Sequence, residues 1–131
     1  VLSFRMFAQF FFLLVCGVAL SLSQHPPPGR AWRSFQLKHV TNRQVNCNRD
    51  MRRPAVHCKP HNTFIRSSAT TVRAICRGVQ GPANRSSNNR FRLHDCVRTS
   101  GCQYRSRNLT DVICVRCQNQ LPVHFVKVGR C

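Results

Sequence analysis

The spacing of apolar residues changes along this chain, and each change marks a different kind of segment. Phe10 to Leu22 is apolar apart from Ser21, follows the lone charge Arg5 and ends in Ser21-Leu22-Ser23. A charged start, an apolar run and small residues at its end make the layout of a secretory signal. The run falls short of the roughly 20 apolar residues that a membrane-spanning helix needs. Residues 1–23 are therefore expected to be cleaved near Ser23–Gln24, giving a secreted chain. Residues 24–30 begin with Gln24-His25-Pro26-Pro27-Pro28-Gly29 and predict an extended, mobile lead. From about Ala31 the period becomes helical, with Trp32, Phe35, His39 and Val40 three and four residues apart. A second short helix is predicted over Asn46–Arg53, stopped before Pro54. A third is set by Val72, Ile75 and Cys76, with Gly78 as its end. Shorter runs with strand character fall at Asn62–Arg66, Arg90–Val97, Cys102–Arg107, Val112–Cys117 and Val123–Val128. Gly81–Asn89 (GPANRSSNN) reads as a loop. Helices early and antiparallel strands late predict one α+β domain over residues 31–131.

Cysteine count and charge sharpen that picture. Cys16 would leave with the signal, and an even set of eight cysteines would remain. In a short secreted chain that is a disulfide framework, although eight cysteines permit 105 pairings. Each bridge contributes about 2–4 kcal/mol to a domain whose core is small. Cys114-Val115-Arg116-Cys117 is the one CxxC; it has no second CxxC to complete a zinc knuckle, so no metal site and no cofactor are expected. Lysine and arginine number 21 against three acids, Asp50, Asp95 and Asp111, for a formal net charge of +18. Only Lys38, Lys59 and Lys127 are lysines. Arginine presents a planar fork of donors to phosphate, so the partner predicted is a polyanion.

The chemistry concentrates in three places: His39, the stretch Cys58-Lys59-Pro60-His61-Asn62-Thr63-Phe64, and His124 in Pro122-Val123-His124-Phe125. RNA carries its own nucleophile, the 2′-hydroxyl. Cleavage needs a base for that proton, positive charge on the phosphorane and an acid for the departing 5′-oxygen. Imidazole titrates near pH 6.5 and suits both proton transfers. His39 is the expected base, His124 the expected acid and Lys59 the electrostatic stabiliser. Thr63 offers a hydroxyl and a backbone N–H, a pair that can adapt to uracil or cytosine. The peptide N–H of Phe125 is a further phosphate donor. His25, His57, His61 and His94 have no such support and read as surface or structural residues.

The order His, CKxxNTF, PVHF resembles the pancreatic ribonuclease superfamily. Phe35–Asn42, His57–Ile65, Val72–Gly78 and above all Cys114–Cys131 resemble its amphibian branch, the ranpirnase and frog-egg lectin ribonucleases. The resemblance covers Trp32 to Cys131. It implies a ribonuclease-A-like fold of three helices and a V-shaped antiparallel sheet, with the active site in its cleft. It also implies the pairs Cys47–Cys96, Cys58–Cys102, Cys76–Cys117 and Cys114–Cys131. By the same match His39, Lys59 and His124 are catalytic, Thr63 reads the base, Asp95 orients Thr63 and Lys38 touches phosphate. The function implied is metal-independent, pyrimidine-preferring endoribonuclease action through a 2′,3′-cyclic phosphate, with cytotoxic or antimicrobial consequences, by a monomer. A second reading is a cationic host-defence protein or lectin acting on anionic cell-surface glycans or microbial membranes.

Two departures from the amphibian branch and one from mammalian members stand out. Arg30 occupies the place where frog relatives begin with a pyroglutamate folded onto the site, and Gln24, which could cyclise, lies further upstream. Arg116 and Gln118 replace a Thr and Glu pair that reads the base on the 3′ side, so guanine preference there is expected to weaken unless Arg116 bonds guanine O6 and N7. Val126 stands where mammalian members carry an acid behind the second histidine; frog relatives lack that acid too, so its absence is no sign of inactivity. Two sequons, Asn84-Arg85-Ser86 and Asn108-Leu109-Thr110, are expected in loops, either able to carry a glycan.

Overall fold

A computed structural model describes residues 26–131; the expected signal and the first two residues of the lead lie outside that range. Helix α1 spans Pro28–His39. It starts three residues before the periodicity suggested, because Pro28 sits in the first turn, where a missing N–H costs nothing and a fixed φ helps. The end of the lead is thus helical, not extended. Phe35 is the buried residue of α1, and Lys38 and His39 occupy its last turn.

Helix α2, Cys47–Asp50, is shorter than predicted and closed at both ends of its first turn. The Asn46 side chain accepts from the Arg49 N–H at 3.0 Å, and the Asp50 carboxylate accepts from the Asn46 N–H at 2.8 Å. These bonds satisfy donors that a helix start leaves open. Helix α3, Ala69–Arg73, is capped by Ser68 and runs into a 3-10 turn, Ala74–Cys76. Gly78, at φ +81°, then reverses the chain in a conformation that side chains disfavour.

Two sheets make up the β structure. Strands β1 (Val40–Thr41), β2 (His61–Arg66), β4 (Phe91–Ser100) and β5 (Gln103–Asp111) form one, in the order β1-β2-β4-β5. Strands β3 (Ala83–Ser86), β6 (Ile113–Gln118) and β7 (Leu121–Val128) form the other, in the order β3-β6-β7. Every pairing is antiparallel except β1 with β2. Strand β3 lies inside the segment expected to be a loop. It is an exposed edge strand whose residues bury almost nothing, so backbone pairing to β6 holds it and no apolar pattern announces it. Both sequons consequently sit on strands, Asn84 on β3 and Asn108 on β5, each exposed on a sheet edge.

The main core joins Phe35 of α1, Val72 and Cys76, Ile65 and Leu93 of the four-stranded sheet, and Ile113, Val115 and Cys117 of the three-stranded one. A second cluster packs Val45, Met51, Val56, Phe64 and the Cys47–Cys96 bridge. The other disulfides are Cys58–Cys102, Cys76–Cys117 and Cys114–Cys131, the pairing that the resemblance implies. Cys58–Cys102 ties the loop before β2 to the β4–β5 turn, Cys76–Cys117 ties the 3-10 turn to β6, and Cys114–Cys131 ties the last residue to β6.

Candidate active site

The last turn of α1, the loop before β2 and the start of β7 meet around one cleft of about 380 Å³. Arg30, Lys38, His39, Lys59, His124 and Phe125 line it, so three groups widely separated along the chain share one space. The lead also reaches it, through Pro26.

His39 is held by three contacts. Its Nδ1 lies 2.9 Å from the Thr63 carbonyl oxygen. A carbonyl can only accept, so Nδ1 carries the proton and Nε2 is bare. Phe125 stacks on the ring at 5.1 Å between centroids and 26° between planes, and Phe35 packs at 5.2 Å. Burial drives the imidazole pKa down from 6.5 to about 4; the Thr63 hydrogen bond opposes this, and the charges of Lys38, Lys59 and His124 add to the lowering. Those three charges act on His39 only because they are close.

A consequence in pH follows. The depressed value keeps His39 unprotonated, the form a base requires, well below neutrality. The acid limb of kcat/KM is expected near pH 4, not near 6.5, in a stopped-time assay on a dinucleotide. Stability follows the same sign: between pH 6.5 and 4 the unfolded chain takes up this proton and the folded one does not. The contribution of His39 is therefore complete above pH 6.5 and lost as pH falls toward 4, by about 1.4 kcal/mol per pH unit.

Lys59 and His124 are exposed, and both line the cleft. The Lys59 backbone is fixed: the Tyr104 hydroxyl donates to its carbonyl at 2.7 Å, and Cys58 beside it is bridged to Cys102. Cys58 itself has φ +51°, a costly conformation for a residue with a side chain. The bond from Cys58 N–H to the Met51 carbonyl at 2.7 Å and that from the Arg98 guanidinium to the Cys58 carbonyl at 3.0 Å hold it there.

Thr63 is buried on β2 directly across from Asp95 on β4. Its hydroxyl donates to Asp95 Oδ1 at 2.6 Å, which leaves the hydroxyl oxygen as an acceptor. Arg116 pairs in register with His124, and Gln118 with Leu121, so both exposed side chains lie on the His124 face of the three-stranded sheet.

Four contributors escaped sequence reasoning. The Asn62 amide donates to the Lys38 carbonyl at 2.9 Å and locks the end of α1 to β2. Tyr104 positions Lys59, as described. His61 Nε2 and the Arg107 guanidinium approach Asp95 at 3.3 and 3.4 Å, so the exposed His61 ring is a structural neighbour of the Thr63–Asp95 pair. Nothing local marks any of them. Cys47, His94 and Cys96 also come together, but both sulfurs are spent in the Cys47–Cys96 bridge, which leaves His94 alone.

Comparison with known proteins gives this geometry a lineage. An oocytes ribonuclease of Aquarana catesbeiana is 48% identical over 128 residues, covering 91% of this chain and 95% of its own. The structure of amphinase, a cytotoxic ribonuclease from Rana pipiens oocytes, superposes with a TM-score of 0.74 at 42% identity, covering 77% of this chain and 99% of its own. Cytotoxic ribonucleases from Rana catesbeiana, solved with d(ApCpGpA) and 2′,5′-CpG, superpose at 0.73 with 37% identity, covering 76% and 97%. Residues 30–126 match the pancreatic ribonuclease family itself, and the chain belongs to that family, alongside its amphibian members.

Proposed function

We propose that the protein is a secreted endoribonuclease that cleaves RNA after pyrimidines without a metal. His39 Nε2 removes the 2′-hydroxyl proton, and the 2′-oxygen attacks phosphorus. Lys59 and the Phe125 N–H bear on the non-bridging oxygens as negative charge develops, with Lys38 adding to the field. His124 gives a proton to the departing 5′-oxygen, and a 2′,3′-cyclic phosphate results. Water then opens the ring with the two imidazoles in exchanged roles. The observation that carries this reading is an imidazole with its outward nitrogen bare, held neutral in the cleft that Lys59 and His124 also line.

Base choice follows from Thr63. Its hydroxyl proton is committed to Asp95, so the oxygen accepts from N3–H of uracil at no cost, whereas cytosine requires the hydroxyl to turn. Thr63→Ala is expected to reduce the preference for pyrimidine over purine by roughly ten- to a hundred-fold. Dinucleotides varied on each side of the cleaved bond, assayed with EDTA present, test both claims. Loss of turnover in EDTA, or purine specificity in the unaltered protein, would refute them. Arg116 faces the base on the 3′ side in this reading, and the same assay tests that assignment. Secretion is supported by the disulfide framework and the expected signal.

The net charge of +18 also supports action on anionic cell surfaces, in keeping with relatives described as cytotoxic. Killing of bacteria or cells that survives loss of cleavage would assign the toxicity to that charge.

A further inference from the structure

Arg73 and Arg77 stand four residues apart where α3 gives way to the 3-10 turn, a spacing that sets two like charges against each other. Both are exposed, and neither guanidinium has a hydrogen-bond or ion-pair partner among the described residues. The acids of the chain are engaged elsewhere: Asp50 with Arg49, Asp95 with Thr63, and Asp111 with the Val112 N–H. The arginine pair faces a cleft of about 550 Å³, separate from the catalytic one, walled by Thr70, Asn119, Gln120 and Leu121.

This cleft is built firmly. Asn119 N–H donates to the Gln80 carbonyl at 2.7 Å, and Gln120 N–H to the Val79 carbonyl at 2.7 Å. The Gln120 side chain accepts from the Gly78 N–H at 3.0 Å. Those bonds hold Asn119 and Gln120 at φ +50° and +61°, conformations that an unsupported turn of these residues would resist. Behind them the Cys76–Cys117 bridge joins the two walls, and the Arg85 guanidinium donates to the Arg77 carbonyl at 2.7 Å. Two unneutralised cations on a rigid, acid-free wall define an anion site.

Its place relative to the chemistry suggests which anion. Strand β7 starts at Leu121 on this cleft and reaches His124 three residues later, about 10 Å at the rise of a strand. His124, under the function proposed above, protonates the oxygen of the nucleotide on the 3′ side. We infer that Arg73 and Arg77 bind a backbone phosphate of the RNA strand beyond the leaving nucleotide, on the 3′ side of the cleaved bond. This rests on the ribonuclease reading and adds a direction to it. A second arginine cleft, with Arg105 and Arg107, lies at the Thr63 end, but Arg107 is already paired with Asp95.

The test uses oligodeoxynucleotides carrying one ribouridine, extended on the 3′ side only or on the 5′ side only, beside a bare dinucleotide. For the double variant Arg73→Ala, Arg77→Ala, kcat/KM on the 3′-extended substrate is expected to fall roughly tenfold. Its dependence on log salt should flatten by about 0.7 for the phosphate no longer contacted. Dinucleotide and 5′-extended substrates should be cleaved as before. An equal loss on all three substrates would make the pair structural and overturn the inference. Unchanged cleavage of the 3′-extended substrate, with lost binding to a sulfated polysaccharide, would overturn it in favour of a glycan. Failure of the unaltered protein to cleave the dinucleotide would instead remove the ribonuclease reading beneath it.

Discussion

Replacing His124 by alanine is expected to lower kcat for a uridine dinucleotide by about 10³-fold and leave Tm nearly unchanged. The stability half of that expectation comes from exposure: His124 projects from β7 into the cleft and has no hydrogen-bond partner among the described residues. Removing it opens no cavity and orphans no buried group. The kinetic half comes from the acid role proposed for it, and a change of leaving group isolates that role. An alkoxide leaves poorly without a proton, whereas a nitrophenolate needs none. His124→Ala should therefore cleave uridine 3′-(4-nitrophenyl phosphate) within about tenfold of the unaltered enzyme. His39→Ala should lose activity on both substrates, because the 2′-hydroxyl must be deprotonated in either case. Equal losses for both substrates in His124→Ala would mean that this histidine binds phosphate and does not donate a proton.

Much of the site was legible because it rests on residue types in a fixed order: His39, Lys59, Thr63 and His124. Their order carries information that single positions lack, since a lone histidine such as His39 on an apolar helix face is ordinarily a packed one. His39 is packed, stacked on Phe125 and Phe35, and it lines the cleft with Lys59 and His124 as well. What stayed hidden depends on contacts across long separations. Asn62 meets the Lys38 carbonyl, Tyr104 meets Lys59, and His61 meets Asp95, across 24, 45 and 34 residues. No local spacing encodes such pairs. Strand β3 stayed hidden for a different reason: an exposed edge strand of Ala83-Asn84-Arg85-Ser86 has no apolar alternation to reveal it. The early start of α1 was obscured by Pro28, which reads as a breaker inside a helix and as a starter in its first turn.

Lys59→Ala should cost about 10²–10³-fold in kcat/KM, chiefly through kcat. The ground-state phosphodiester carries one negative charge, but the phosphorane and its flanking oxygens carry more. A fixed ammonium therefore favours the transition state over the substrate, and that difference is what accelerates the reaction. Lys59→Arg keeps the charge but spreads it over a wider, planar group on a different stem, so only part of the rate should return. The backbone beneath Lys59 makes the claim sharper. Tyr104→Phe deletes the hydroxyl that donates to the Lys59 carbonyl, leaving the ammonium in place on a looser support. A positioning role predicts a several-fold loss in kcat for Tyr104→Phe and little further loss when it is added to Lys59→Ala, since the group being positioned is already gone. Additive losses in that double-mutant cycle would show that Tyr104 acts on the fold and not through Lys59. Loss of affinity for a deoxydinucleotide matching the loss in kcat/KM would assign Lys59 to ground-state binding instead.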